Sequence, residues 1–190
     1  MTACSNGRPG TGPKPPRHLM RRWWRDASGT TAIEFGFVAL PFLMMLFGII
    51  GVGLYFFTTF SLENAVEQAS RILRTGQAQQ ANYTAAQFKS KVCSYVPSYV
   101  DCTNKVVVNV QNYADPSLIT SASLPSCLSA GSTLKTTAAY APGGASQVVL
   151  VWVCYEWDLT KSLPFLKLGN MSGGARLIQA TTVFVSEPYS

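Results

Sequence analysis

From Phe35 to Phe57 the chain reads FGFVALPFLMMLFGIIGVGLYFF, 23 residues without a charged side chain. As a helix rising about 1.5 Å per residue, this run is about 35 Å long, enough to cross the hydrocarbon of a bilayer. No other segment constrains the fold so strongly, because a lone segment in lipid can satisfy its backbone hydrogen bonds only as a helix. A cleavable secretory signal is the rival reading, but its apolar core has about 7–15 residues and is followed by an A-x-A-like site. The residues after Phe57 include SLENAVEQAS and no such site. Arg21-Arg22 hints at a twin-arginine signal, yet Trp23, Trp24 and Arg25 fit better as an interface belt with a charge anchor.

Charge sets the orientation. Six of the 15 basic residues (Arg8, Lys14, Arg17, Arg21, Arg22, Arg25) precede Gly29, opposed only by Asp26, so most of the net charge of +6 lies ahead of the span. Arg71 and Arg74 are the nearest cations on the far side. By the positive-inside rule the N-terminus stays in the cytoplasm. The remainder carries nine basic and eight acidic residues, a balance that argues against a nucleic-acid-binding face. The first 16 residues, MTACSNGRPGTGPKPP, have nothing with which to build a core and are expected to be disordered.

Beyond the span, Leu62, Ala65, Val66, Ala69, Ile72 and Leu73 recur at helical spacing, so the helix is expected to continue with one apolar face. Glu67 and Arg71 are placed as an i, i+4 pair, and Gly76 as the C-terminal stop. Thr84-Ala85-Ala86-Gln87 has the spacing of a capping box and opens a second helix that carries Cys93 near its end. Three segments read as strands: Lys105–Gln111, Gln147–Trp157 and Arg176–Val185. A stretch rich in Ser, Thr, Gly, Ala and Pro lies between Asp115 and Gly144. The expected fold class is α+β: a long N-terminal transmembrane helix extending into a small antiparallel sheet domain.

Cys4 lies in the leader, whereas Cys93, Cys102, Cys127 and Cys154 lie beyond the span, on the oxidising side of the membrane in this orientation. Four cysteines allow three pairings. Cys93 with Cys102 and Cys127 with Cys154 is preferred, because the first pair closes a short helix-to-strand turn around Pro97. The outer cysteines lack C-x-x-C spacing, so no metal site is expected. His18, the single histidine, is in the leader, which removes a Ser-His-Asp or Cys-His set from the outer part. Glu156 and Asp158 form an acidic pair at a strand end and read as its solvated edge. Gly143-Gly144 and Gly173-Gly174 read as turns. Pro41 reads as a membrane-helix kink. Gly48, Gly51 and Gly53 are either a notch for a neighbouring helix or ordinary glycine enrichment.

Directly ahead of the span the chain reads Gly29-Thr30-Thr31-Ala32-Ile33-Glu34-Phe35. A basic leader ending in Gly, with Glu five residues past the cut, resembles the processing site of type IV prepilins. G-x-x-A-I-E-F, then Asn64 to Arg71 (NAVEQASR) and the closing strand with its Glu187-Pro188-Tyr189 ending are similar to TadE-like proteins of tight-adherence pilus systems. The resemblance implies that a prepilin peptidase cuts between Gly29 and Thr30, and that Glu34 and Phe35 serve recognition and assembly. It implies other pilin-like subunits as partners beside the lipid bilayer, in the bacterial inner membrane, with no cofactor and no enzymatic activity. The expected organisation is a leader over 1–29, a transmembrane helix over 30–60 and a periplasmic α+β domain over 61–190. The alternative is a bitopic protein whose outer domain binds a ligand and never enters a pilus.

Overall fold

The computed structural model of the chain describes residues 28–119, 126–162 and 167–189. The disordered leader expected over 1–16, together with Cys4, His18, Trp23 and Trp24, lies outside the described residues. The chain divides into two compact units, Met1–Phe47 and Gly48–Ser190.

One helix, α1 (Ser28–Arg74), supplies all the described structure of the first unit and opens the second. In the first unit its side chains face outward all round, with Phe37 78% and Met45 68% exposed. That pattern fits a helix surrounded by lipid rather than by protein. Pro41 lies inside the helix without ending it.

In the second unit the helix changes character over Thr58 to Leu62. The hydroxyls of Thr58, Thr59 and Ser61 each donate back to the carbonyl four residues earlier, at 2.8, 2.9 and 2.7 Å. Polar groups at the end of an apolar run are thereby satisfied within the helix itself. Leu62, Ala65, Val66, Ala69 and Leu73 then turn into the core and are buried, as their spacing predicts. Glu67 does not pair with Arg71; its carboxylate accepts a hydrogen bond from Thr182 Oγ1 at 3.3 Å. A partner on the sheet, distant in sequence, wins over a solvated i, i+4 pair, which contributes only a few tenths of a kcal/mol.

Gly76 ends the helix in the left-handed region (φ 74°), and its N–H donates to Leu73 O at 3.2 Å. Two helices follow, α2 (Gln77–Gln80) and α3 (Ala85–Cys93). At the start of α3 the capping box forms: Gln87 N–H donates to Thr84 Oγ1, and Thr84 N–H to Gln87 Oε1. A single turn, α4 (Cys102–Lys105), leads into β1 (Val106–Tyr113). The remaining regular elements are a 3-10 turn (Pro116–Leu118), β2 (Val148–Trp157), α5 (Leu159–Ser162), a turn over Ser172–Gly174 and β3 (Arg176–Val185).

The sheet has the order β1-β2-β3 and is antiparallel throughout. Central β2 is covered on both sides, which is why its sequence is an almost unbroken apolar run. Val149, Val151, Val153, Tyr155 and Trp157 face the core with Leu62, Val66 and Phe88. The opposite face receives the segment around Cys127 and Ala139, where the buried Asn109 carboxamide accepts the Ala139 N–H at 3.0 Å. The observed architecture is thus α+β, a long apolar helix followed by a three-stranded antiparallel sheet.

The C-terminal tail returns to the end of α1. Glu187 N–H donates to Arg74 O at 2.7 Å, the Glu187 carboxylate stands 3.9 Å from Arg74 Nε, and the Tyr189 ring lies directly over Gly76. The Glu187-Pro188-Tyr189 ending therefore acts here as a clasp on the helix terminus.

Candidate functional site: the helix start and the base of the domain

Gly29, Thr30, Glu34 and Phe35 all lie in the first two turns of α1, and all are exposed. Phe35 is 73% exposed, and a Cβ at Gly29 would meet nothing within 4 Å. The first turn contains no acidic residue. Its leading N–H groups lack intrahelical acceptors. Gly in a helix costs up to about 1 kcal/mol relative to Ala, so the turn holding the Gly29–Thr30 bond is inexpensive to unwind. Thr30 and Glu34 stand one helical turn apart.

At the base of the second unit the structure gathers residues that are distant in sequence. Tyr55 packs on Trp157 with ring centroids 5.6 Å apart, and Phe57 stacks on Tyr99 at 6.3 Å. The Arg176 guanidinium lies 5.4 Å from the centre of the Tyr55 ring, within cation–π reach. These rings and this cation surround the end of the apolar run, the composition expected where hydrocarbon gives way to headgroups. Sequence reasoning expected an interface belt at Trp23 and Trp24, which lie outside the described residues, and missed this second group of rings. Tyr99, Trp157 and Arg176 carry no local signal, because only strand register brings them beside Tyr55 and Phe57.

Beside the belt is a cavity of about 380 Å³ lined by Thr58, Tyr99, Lys105, Tyr155 and Asp158, among others. Its polar wall is an ion-pair cluster. Lys105 bonds Asp158, while Lys161 reaches Asp158 at 2.7 Å and Glu156 at 3.3 Å. Partial burial works against the charged Asp158 carboxyl, but the hydrogen bonds from Lys105 and Lys161 outweigh it and hold the carboxyl below the usual carboxylate range. Glu156 and Asp158 are thus neutralised by lysines rather than simply solvated. Burial, reinforced by the Asp158 charge, pushes the Tyr155 phenol up to about 12. The cluster is locked in salt bridges.

The outer cysteines meet in pairs. Cys93 joins Cys102 with Cα atoms 5.8 Å apart across the turn that contains Pro97, and Cys127 joins Cys154 with Cα atoms 6.0 Å apart on the sheet face away from the core. The bridged residues are separated by 9 and 27 positions, which in the loop-entropy account corresponds to about 2.5 and about 3.5 kcal/mol. Peptide mapping without reduction is expected to find both linked peptides. Cys127→Ser/Cys154→Ser is expected to lower the thermal midpoint of the full chain in detergent more than Cys93→Ser/Cys102→Ser; equal or reversed losses would refute the loop-length ordering.

A single apolar helix that leads from a Gly/Glu-marked start into a small α+β domain defines the class: it fits a membrane-anchored, pilin-like protein. Within that class, residues 29–71 match the family model described as TadE-like protein. The matched segment begins at Gly29 and ends on the buried part of α1, so the resemblance read from Gly29, Glu34 and Asn64 to Arg71 is shown over that segment. No curated protein and no solved structure matches the chain.

Proposed function

We propose that the chain is a minor pilin or pseudopilin, an inner-membrane component of tight-adherence pilus assembly with a structural rather than an enzymatic role. The N-terminus is cytoplasmic, residues 30–60 span the membrane and the domain over 61–190 is periplasmic. A prepilin peptidase removes residues 1–29, and the mature helix starts at Thr30. The observation that carries this reading is the TadE-like match over 29–71, which begins at Gly29, together with Glu34 near the start of an exposed apolar helix.

Cleavage would create an ammonium at Thr30, at the positive end of a helix dipole and close to lipid. A carboxylate is the natural partner there, since an unpaired charge near hydrocarbon costs several kcal/mol. Glu34 of the same chain, one turn away, or of a neighbouring subunit supplies it. Glu34→Gln keeps the shape and removes the charge. The variant is expected to insert and form its disulfides normally, but to lose crosslinks to other pilin-like subunits and to abolish surface pili. Crosslinking and pilus counts equal to those of the unsubstituted protein would refute the assembly role.

A second reading, a bitopic anchor whose domain binds a ligand outside a filament, draws on the cavity of about 380 Å³ at the domain base. An uncut mature N-terminus would favour it.

A further inference from the structure

The turn over Ser172–Gly174 and the residues facing it enclose a second cavity, of about 340 Å³, lined by Lys161, Lys167, Gly173 and Gly174 among others. Leu168 also lines a neighbouring apolar cleft of about 210 Å³, whose walls are Val52, Tyr55, Phe56 and Arg176. Leu168 is common to both, and Arg176 lines the apolar cleft. Its guanidinium donates to Leu168 O at 3.0 Å and lies over the Tyr55 ring.

The charges around this double cavity are unequal. Lys161 is held by Asp158 and Glu156, but among the described residues neither Lys167 nor Arg176 has a carboxylate within ion-pair distance. Lys167 is exposed, and the Arg176 Nε is buried without a hydrogen-bond partner among the described residues. Val52 and Phe56 belong to the last turns of the apolar run, within about 8 Å of its end at about 1.5 Å per residue. An occupant must therefore be apolar beside Val52 and Phe56 and anionic beside Lys167 and Arg176, at the depth where a bilayer changes from hydrocarbon to phosphate.

We propose that this double cavity is a binding site for one anionic phospholipid, whose headgroup phosphate pairs with Lys167 and Arg176 while an acyl chain lies in the cleft against Val52, Tyr55 and Phe56. The site would hold the base of the domain down on the outer leaflet by a bond to a particular lipid, in addition to the helix that crosses the bilayer. It rests on the reading of α1 as a membrane span.

The test uses the full chain, extracted from membranes and reconstituted into nanodiscs of phosphatidylcholine with or without phosphatidylglycerol, with retained lipid identified by native mass spectrometry. The unsubstituted chain is expected to retain phosphatidylglycerol in preference to phosphatidylcholine. Lys167→Gln and Arg176→Gln are each expected to weaken that preference about fivefold, the usual effect of one basic residue at an anionic surface, and high salt to weaken it further. Arg176→Lys, which keeps the charge, should retain most of the preference, and Lys91→Gln should leave it unchanged. Lys167 is exposed and its substitution leaves the core intact, so that variant remains informative even if Arg176→Gln folds poorly. Equal retention of the two lipids by the unsubstituted chain, or a Lys167→Gln chain that still prefers phosphatidylglycerol, would overturn the site. Loss of the phosphatidylglycerol preference in inorganic phosphate at unchanged ionic strength would instead mark a free-anion site and overturn the lipid assignment. Release of the unsubstituted chain from membranes by alkaline carbonate would overturn the span reading and the site with it, whereas retention without lipid preference overturns the site alone.

Discussion

Gly29→Phe is expected to leave the 20.6 kDa chain uncut in the membrane, with an intact mass that still includes the leader, while the unsubstituted protein begins at Thr30. The effect is close to all-or-none, because a bulky side chain at the scissile residue keeps the backbone out of a protease cleft that glycine can enter. The structure makes the experiment clean. A Cβ at Gly29 meets nothing within 4 Å among the described residues, so a block is expected to arise in the peptidase rather than in the fold. Gly53 is equally open, and Gly53→Ala is expected to be processed normally. A Gly29→Phe chain that matures at the usual rate would remove the processing claim. An unsubstituted chain that keeps its leader would do the same.

The largest expected loss of stability is at Gly76. Its φ of 74° costs an L-residue about 1–2 kcal/mol, and more when the side chain is β-branched. A Cβ there would also fall within the Tyr189 ring, so the C-terminal clasp must be displaced or the end of α1 must shift. Gly76→Val is therefore expected to destabilise the domain by roughly 3 kcal/mol or more, counting both the backbone strain and the overpacking. The two causes can be separated. Tyr189→Ala should cost little alone and should recover the steric part in Gly76→Ala/Tyr189→Ala, leaving only the backbone cost, as a double-mutant cycle would show. Thermal unfolding of the detergent-solubilised chain measures each value. Strictly additive losses would mean that the ring and the glycine do not share space.

Much of the fold was legible because it is written in local periods. The apolar run has a length matched to a bilayer, the residues from Leu62 to Leu73 repeat with the period of a helix, and Thr84 and Gln87 carry a cap that needs only three residues of spacing. The strands starting near Lys105, Gln147 and Arg176 could be placed to within two residues at each end. β2 stood out because a strand covered on both faces has no polar positions. The start of the candidate site was legible for the same reason, since Gly29 and Glu34 lie on one short segment. The Glu67–Arg71 pair failed because spacing along a helix says nothing about what the sheet offers: Thr182 was within reach, and the carboxylate took it.

By itself the sequence determined that one helix must be satisfied in lipid, which side of it is basic, and where the chain alternates between helix and strand, because each of these depends on neighbours along the chain. Only the tertiary structure decided what surrounds the C-terminal end of the apolar run. The antiparallel register of β2 and β3 sets Trp157 opposite Arg176, and the packing of β2 on α1 carries both to Tyr55. Lys167 and Leu168 line the cavity beside them, and the returning tail puts Tyr189 on Gly76. These contacts join residues far apart in sequence through strand pairing and core burial. Their free energy is gained only when the whole domain closes, so no local pattern announces them.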